Sequence, residues 1–333
     1  MTKHFAFVFP GQGSQSVGML DSWSAHPEVV LALEEAQSAL SQDLGALMRD
    51  GPKESLALTT NTQPLMLLAD VAIYRAWIKD TGMLPQLMAG HSLGEYAALV
   101  ASGVLSLSQA LPLVRFRAQA MQDAVAVGEG AMAAILGLSS DQVQSACEAL
   151  SAEFSAAQEP HLVQAVNFND PSQTVIAGTA LGVDKACEAL KALGAKRALK
   201  LPVSAPFHCT LMQPAAERLR EMLGTLEFHA PAVPVLNNVD VLTPSTPQEI
   251  KDALYRQAYH PVRWVQTVQA MRTLGIQALV ECGPGQVLSG FTKRIDPELE
   301  SCSLKDLGHV QTVQQTLQAP AELTAKPANE EKP

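Results

Sequence analysis

The sequence has too few basic residues and too few long apolar runs for several common kinds of protein. Its 23 lysines and arginines against 33 aspartates and glutamates give a net charge of −10, which argues against nucleic acid as a partner. No uncharged apolar run reaches the length of a membrane span, and the run at residues 5–9 is too short for a signal peptide. We therefore expect no membrane or nucleic-acid partner.

Metal sites and disulfides are not expected either. The five cysteines are scattered and form no Cys-x-x-Cys pair, and the eight histidines include no pair spaced four residues apart. This cysteine usage favours a reducing, cytoplasmic setting, and we expect no bound metal or cofactor. With 47% apolar and 17% charged residues over 333 positions, the chain has enough apolar material for a large core or two subdomains.

The most informative motif is Gly-x-Ser-x-Gly at residues 90–94, with Ser92 at its centre. Residues 85–89 before it are apolar enough for a buried strand, and residues 95–101 after it are typical of a helix. A serine on such a sharp strand-to-helix turn has an exposed hydroxyl, and the first N–H groups of the helix point to where an oxyanion would form. A chance match rarely has both neighbours, so the pattern predicts Ser92 as a nucleophile.

The strand and helix patterns of the outer parts of the chain predict a mainly parallel sheet covered by helices. Helical patterns cover about 25–50 and 64–79, and later strands are expected at 233–236 and 278–281. Strands that alternate with helices in this way are typical of an α/β architecture.

The middle of the chain has a different order. Residues 131–201 follow β-α-β-β-α-β, which is typical of a ferredoxin-like fold. We predict an α/β protein with an α/β-hydrolase-like large subdomain at 1–128 and 200–310 and an inserted ferredoxin-like subdomain at 129–199. Residues 311–333 are expected to form a disordered tail, because the chain from about residue 318 is rich in Pro, Ala, Glu and Lys.

Ser92 needs a base and an oxyanion hole. His208 is the best candidate base among the histidines, because it lies just after the chain returns to the large subdomain; a purely structural histidine is the alternative. The glycine-rich loop at 11–15 lacks the patterns of nucleotide-binding loops. If it approaches Ser92, the N–H groups of Gln12 and Leu93 could form an oxyanion hole; otherwise it is a plain turn.

Arg115 and Arg117 lie two residues apart on a predicted helix and therefore on nearly opposite faces. One is expected to face solvent and the other to turn inward. A buried guanidinium needs an anion from the protein or from a substrate. Two surface charges are the alternative that the pattern leaves open.

Eight separated motifs occur in order along the chain: FPGQGSQ (9–15), NTQP (61–64), GHSLGEY (90–96), Arg117, NFN (167–169), PFH (206–208), NNV (237–239) and GPG (283–285). Together they resemble the malonyl-CoA:acyl-carrier-protein transacylases of bacterial fatty acid synthesis and the acyltransferase domains of polyketide synthases. The resemblance covers residues 3–308.

This resemblance implies roles for individual residues. Ser92 would be the nucleophile and His208 the base, with His208 oriented by the backbone carbonyl of Gln257. The backbone N–H groups of Gln12 and Leu93 would form the oxyanion hole.

The resemblance also implies a substrate pocket. Arg117 would bind the free carboxylate of a malonyl group through two hydrogen bonds, and Gln63 and Asn167 would line the same pocket. Phe207 resembles the malonyl-selective form of the family motif, because a phenyl ring there would crowd an α-methyl branch. One methyl group is worth only about 1–3 kcal/mol of discrimination, so this is a preference.

An acidic chain needs a local basic patch to dock an acidic carrier protein. Two clusters are candidates for that patch, with ordinary solvated charges as the alternative: Lys196, Arg197 and Lys200, and the pair Lys293 and Arg294. The chain departs from the family pattern at His260 and Arg263, where the enzymes of fatty acid synthesis often carry other polar residues.

The resemblance therefore implies a two-step transfer of malonyl from malonyl-CoA, the thioester substrate, to the phosphopantetheine thiol of an acyl carrier protein, by a monomer. One alternative is a free-standing acyltransferase of a polyketide assembly line. A serine thioesterase or hydrolase is a second alternative, which the missing acidic partner for His208 and the presence of Arg117 disfavour. A non-catalytic carrier-binding module is a third.

Overall fold

A parallel sheet of five strands organises the larger part of the computed structural model, which describes residues 2–203 and 205–319. Numbered in chain order, its strands are β1 (Phe5–Phe9), β2 (Leu87–Gly90), β7 (Val235–Leu236), β8 (Ala278–Glu281) and β9 (Glu300–Ser303). Their spatial order is β7-β2-β1-β8-β9, and every pairing is parallel. β1, β2 and β8 are buried throughout, because helices cover both faces of the sheet.

The helices around this sheet are α1 (Pro27–Leu40), α2 (Leu44–Asp50), α3 (Lys53–Ala57), α4 (Thr59–Thr81), α5 (Gly94–Ala101), α6 (Leu107–Asp123), α9 (Gln213–Thr225), α10 (Pro247–Gln257), α11 (Trp264–Thr273), α12 (Val287–Ile295) and α13 (His309–Gln318). Short 3₁₀ turns occur at Asp21–Trp23 and Thr210–Met212. The predicted helix at 25–50 is two helices, because Ser41 adopts a left-handed backbone (φ 51°) that ends α1. α4 begins before the predicted start at residue 64.

The inserted segment forms a separate antiparallel sheet. Its elements are β3 (Gly130–Leu136), α7 (Ser140–Ala156), β4 (Val163–Asp170), β5 (Gln173–Thr179), α8 (Ala180–Ala192) and β6 (Arg197–Lys200). The strand order is β4-β5-β3-β6, with antiparallel pairings throughout. The predicted α/β fold with a ferredoxin-like insertion is therefore confirmed.

The two faces of the inserted sheet contribute to different hydrophobic cores, because successive strand residues point to opposite sides. Ala133 and Ile135 pack under α7 and α8 in a core of their own. Met132 and Ala134 instead join the core of the large subdomain, together with Phe207. The insertion therefore covers one side of the large subdomain, and this is where the site lies.

In the last hundred residues, one strand was missed and one predicted boundary was wrong. β9 was missed, because its sequence Glu-Ser-Cys-Ser carries no apolar alternation and forms an edge strand. The disordered tail was predicted to begin at residue 311, but α13 continues to Gln318 and buries Val310, Val313 and Leu317. The rest of that predicted tail, from residue 320, lies outside the described residues. Among the helices described, none has the length and apolar character needed to cross a membrane.

Candidate active site

Ser92 lies on the sharp turn between β2 and α5, where its backbone is left-handed with φ 53°. Such a conformation is costly for a residue with a side chain and is held in place by its surroundings. Glycine is required on both sides: a Cβ at Gly90 would lie 1.8 Å from the backbone carbon of Gly94, and one at Gly94 would lie 2.0 Å from the carbonyl oxygen of Phe9. The tight packing of this turn explains the Gly-x-Ser-x-Gly pattern.

His208 lies directly beside Ser92. Its Nε2 is 2.6 Å from Ser92 Oγ, and its Nδ1 donates a hydrogen bond of 2.9 Å to the backbone carbonyl of Gln257. Because that carbonyl can only accept, Nδ1 carries the proton and Nε2 is free to accept the serine proton. Burial, and secondarily the charge of Arg117, lowers the pKa of His208 to about 3. The imidazole is therefore neutral, the form that a general base needs.

Arg117 points inward from α6 and is 2% exposed. Its Nη1 donates to Gln63 Oε1 at 2.8 Å, and its Nη2 donates to Gln257 Oε1 at 3.1 Å and to Ser92 Oγ at 3.2 Å. Its guanidinium also lies 5.3 Å from the centre of the Tyr96 ring. Its Nε is buried and has no partner among the described residues. A buried cation with a spare donor beside Ser92 is suited to an anionic substrate.

Arg115, the other arginine of the pair, points away from Ser92. It is half-buried on the opposite side of α6, where its Nη2 donates to Gln42 Oε1 at 2.6 Å. Only one arginine of the pair therefore faces Ser92.

The glycine-rich loop packs against the elbow. A Cβ at Gly11 would lie 2.5 Å from the carbonyl oxygen of His91 and 3.8 Å from the backbone nitrogen of Leu93. The N–H groups of Gln12 and Leu93 donate no hydrogen bond within the described part of the chain. Both residues line the cavity around Ser92, so both amides are available to an oxyanion there.

A cavity of about 90 Å³ joins these groups. It is lined by Gln12, Gln63, His91, Ser92, Leu93, Arg117, Met132, Asn167, Leu201, Val203, Phe207 and His208. The apolar side chains of Met132, Leu201 and Val203 were not anticipated from the sequence, because they come from the inserted sheet and the segment that follows it. A larger cavity of about 500 Å³ between α7, β4 and the start of α11 contains none of the predicted site residues. Arg263 lines that larger cavity.

His91 and Asn238 hold the elbow in place through side-chain hydrogen bonds. His91 Nε2 donates to Asn169 Oδ1 at 2.8 Å, which ties the elbow to the inserted sheet. Asn238 Nδ2 donates to the Gly90 carbonyl and Asn238 Oδ1 accepts from the Ser92 N–H, each at 2.7 Å. The sequence marked Asn238 as part of a motif but gave it no role.

The predicted basic clusters contain both side chains that form ion pairs and side chains that do not. Lys200 pairs with Asp184 at 2.5 Å, and Arg294 pairs with the buried Asp170 at 2.7 Å. In residues 2–203 and 205–319, the exposed side chains of Lys196, Arg197 and Lys293 make no ion pair. The first cluster lies along β6, at one edge of the inserted sheet. The second lies on α12, which packs near β4 at the other edge.

Comparisons with known proteins agree with this geometry. The acyl transferase domain family matches residues 6–311. The malonyl CoA-acyl carrier protein transacylase of Escherichia coli K12 is 50% identical over 303 residues, which is 91% of this chain and 96% of the relative. An acyl-carrier-protein S-malonyltransferase from Burkholderia pseudomallei is 55% identical, with a TM-score of 0.90 over 95% of this chain and 99% of that one.

A further solved structure is a malonyl-transacylase in complex with a type II polyketide acyl-carrier protein. It is 46% identical, with a TM-score of 0.90 over 94% of this chain and 99% of that one. The chain is an acyltransferase and belongs to the acyl transferase domain family, within it to the malonyl-CoA–acyl-carrier-protein transacylases.

Proposed function

We propose that this protein transfers the malonyl group of malonyl-CoA to the phosphopantetheine thiol of an acyl carrier protein through a malonyl ester of Ser92. The observation that carries the proposal is the buried guanidinium of Arg117, whose Nη2 lies 3.2 Å from Ser92 Oγ. A cation at that distance suits an acyl group that ends in a carboxylate. It leaves the serine hydroxyl able to act as a nucleophile.

In the first half-reaction, Ser92 Oγ attacks the thioester carbonyl while His208 Nε2 takes the hydroxyl proton. The N–H groups of Gln12 and Leu93 stabilise the oxyanion of the tetrahedral intermediate. The carbon–sulfur bond then breaks, and the proton on His208 passes to the departing CoA thiolate. The products are free CoA and malonyl-Ser92.

In the second half-reaction, the carrier thiol gives its proton to His208 and attacks the serine ester. Collapse of the intermediate breaks the bond to Ser92 Oγ, which recovers the proton from His208. CoA leaves before the carrier protein enters, so ping-pong kinetics are expected. CoA enters as a thioester substrate, and no step draws on a metal or a bound cofactor.

Arg117 orients the malonyl carboxylate throughout. A guanidinium can hold a carboxylate through two hydrogen bonds along either of two planar edges, Nη1–Nη2 or Nε–Nη2. Both edges include Nη2. The two Nη2 hydrogens face Ser92 Oγ and Gln257 Oε1. A malonyl carboxylate bound in this way therefore replaces one of these acceptors, while Gln63 continues to hold Nη1. Phe207 in the cavity wall favours malonyl over methylmalonyl.

The carrier protein docks against the basic side chains along β6, the strand that leads into Leu201 of the cavity wall. The exposed Lys196 and Arg197 are the main contacts of this docking surface. The relative that was solved with a polyketide carrier supports a polyketide assembly line as a second candidate pathway beside fatty acid synthesis. A cytoplasmic location remains a prediction from cysteine usage.

The test is the intact mass of the protein after brief incubation with malonyl-CoA or acetyl-CoA, with Ser92→Ala as the control. A malonyl adduct that exceeds the acetyl adduct and is absent from the variant is expected. Steady release of CoA without an adduct and without carrier protein would identify a hydrolase instead. If neither an adduct nor CoA release is found, a non-catalytic carrier-binding module is the remaining candidate.

A further inference from the structure

Glu95 is a buried carboxylate directly behind the nucleophile, and no step of the proposed reaction uses it. It lies in the first turn of α5, three residues after Ser92, and is 2% exposed. Burying a carboxylate is costly unless its oxygens accept hydrogen bonds. Its partners therefore indicate what it does.

One oxygen of Glu95 joins two distant segments of the chain. Oε2 accepts a hydrogen bond from the backbone N–H of Asn238 and another from Nε2 of Gln257, each 2.9 Å long. Asn238 lies in the loop after β7, and Gln257 is the last residue of α10. Both residues are fully buried, so neither donor has water as an alternative partner.

Each of these partners holds a different part of the site. Asn238 holds the elbow through the Gly90 carbonyl and the Ser92 N–H. Gln257 holds the base, because its backbone carbonyl accepts from His208 Nδ1. The Gln257 side chain donates to the Ser92 carbonyl at 2.9 Å and accepts from Arg117 at 3.1 Å.

The chemistry of the carboxylate also sets the direction of the Gln257 amide. Because the Asn238 N–H can only donate, Glu95 Oε2 is an acceptor whether or not the other carboxyl oxygen carries a proton. Gln257 therefore turns its NH₂ group towards Oε2 and towards the Ser92 carbonyl. Its carbonyl oxygen is then left facing Arg117. A reversed amide would place an N–H group against the guanidinium.

We propose that Glu95 is a positioning residue for malonyl transfer: by holding Asn238 and Gln257 together, it keeps Ser92, His208 and Arg117 in one working geometry. This inference rests on the proposed function. A displacement of about 1 Å in such a site can lower a rate about 100-fold, even when the displaced group is not a reacting one.

The test measures single-turnover acylation of Ser92 by malonyl-CoA and by acetyl-CoA, expressed per folded molecule. Glu95→Ala is expected to lower both rates about 100-fold, and to lower the malonyl-to-acetyl ratio as well, since the Gln257 amide is no longer held towards Arg117. Glu95→Gln retains an oxygen that can accept from both donors and is expected to stay within about tenfold of the wild type. Glu95→Asp is one methylene shorter and is expected to fall below Glu95→Gln.

Glu281 provides a matched control. Its carboxylate is fully buried and likewise accepts two backbone hydrogen bonds, from Leu288 at 3.1 Å and from Ser289 at 2.8 Å. Within residues 2–203 and 205–319, it makes no hydrogen bond to a site residue. Burial raises the pKa of its carboxyl group, as it does for Glu95. Glu281→Ala should therefore destabilise the fold while leaving the acylation rate per folded molecule within about threefold.

Three results would overturn the inference: Glu95→Ala acylating within threefold of the wild type, Glu281→Ala losing as much rate as Glu95→Ala, or Glu95→Asp exceeding Glu95→Gln. The comparison of Glu95→Asp with Glu95→Gln can be made even if Glu95→Ala does not fold. A faster Glu95→Asp variant would indicate that only the negative charge of residue 95 matters. A wild-type protein that forms no malonyl adduct would instead refute the proposed function. A wild-type adduct with an unaffected Glu95→Ala variant would refute the positioning role alone.

Discussion

Replacement of Arg117 by alanine should separate malonyl transfer from acetyl transfer. Arg117 is 2% exposed, and no other cation lines the cavity around Ser92 in the described residues. A malonyl carboxylate in the variant would lose two charge-assisted hydrogen bonds, each worth about 1.5–3 kcal/mol. The sum of about 3–6 kcal/mol corresponds to a loss of about 10²–10⁴ in kcat/KM for malonyl-CoA.

Acetyl-CoA has no free carboxylate, so its kcat/KM should change by less than about tenfold, through the loss of Arg117's contacts to Ser92 and Gln257. The assay is CoA release in the presence of carrier protein, with each thioester as donor. Arg115→Ala is the matched control, because it removes the same charge from the same helix at a side chain that contacts Gln42 instead. An unchanged malonyl-to-acetyl ratio in Arg117→Ala would refute the assignment.

Two further predictions follow from charge. Burial raises the pKa of Glu95 from 4.5 to about 7, so between these values the folded protein holds a proton that the unfolded chain has lost, and stability falls as pH rises. In urea denaturation, the free energy of unfolding of Glu95→Gln relative to that of the wild type should rise by about 2–3 kcal/mol from pH 5 to pH 8. A difference between the two proteins that stays constant with pH would contradict the raised pKa of Glu95. Charge reversal at Lys196 and Arg197 should raise KM for the carrier protein and leave KM for malonyl-CoA unchanged. Lys79→Glu is the control, because Lys79 is exposed in the last turn of α4, at the opposite end of that helix from Gln63. An equal rise for both substrates would argue against a docking patch.

Much of the fold was predictable because its signals are local. The Gly-x-Ser-x-Gly turn needs small residues at Gly90 and Gly94 for a reason that belongs to the turn itself, namely the 1.8–2.0 Å approach of a would-be Cβ to backbone. The β-α-β-β-α-β order of the insertion was likewise visible in local sequence patterns, and the structure shows a local capping box at Ser139 where α7 begins. Local signals failed at β9, whose polar sequence lies at a sheet edge.

The candidate site was only partly predictable. Ser92 and His208 could be named from motifs, but 116 residues separate them, and only packing brings their side chains within 2.6 Å. Neither Asn238 nor Glu95 carried a signal of its role. Their hydrogen bonds connect segments 143 residues apart, and no periodic pattern reports such contacts.

The sequence by itself therefore determined most of the elements, the elbow and the candidate nucleophile, because backbone sterics and hydrophobic periodicity act over a few neighbouring residues. The tertiary structure decided which arginine turns inward, which amide faces it and which carboxylate holds both Asn238 and Gln257. It also decided that α13 continues past residue 311, since its apolar face is buried only against the rest of the fold. Burial and hydrogen-bond pairing at long range are properties of the packed chain. They raise the pKa of Glu95 and keep His208 in the neutral form that the proposed chemistry needs.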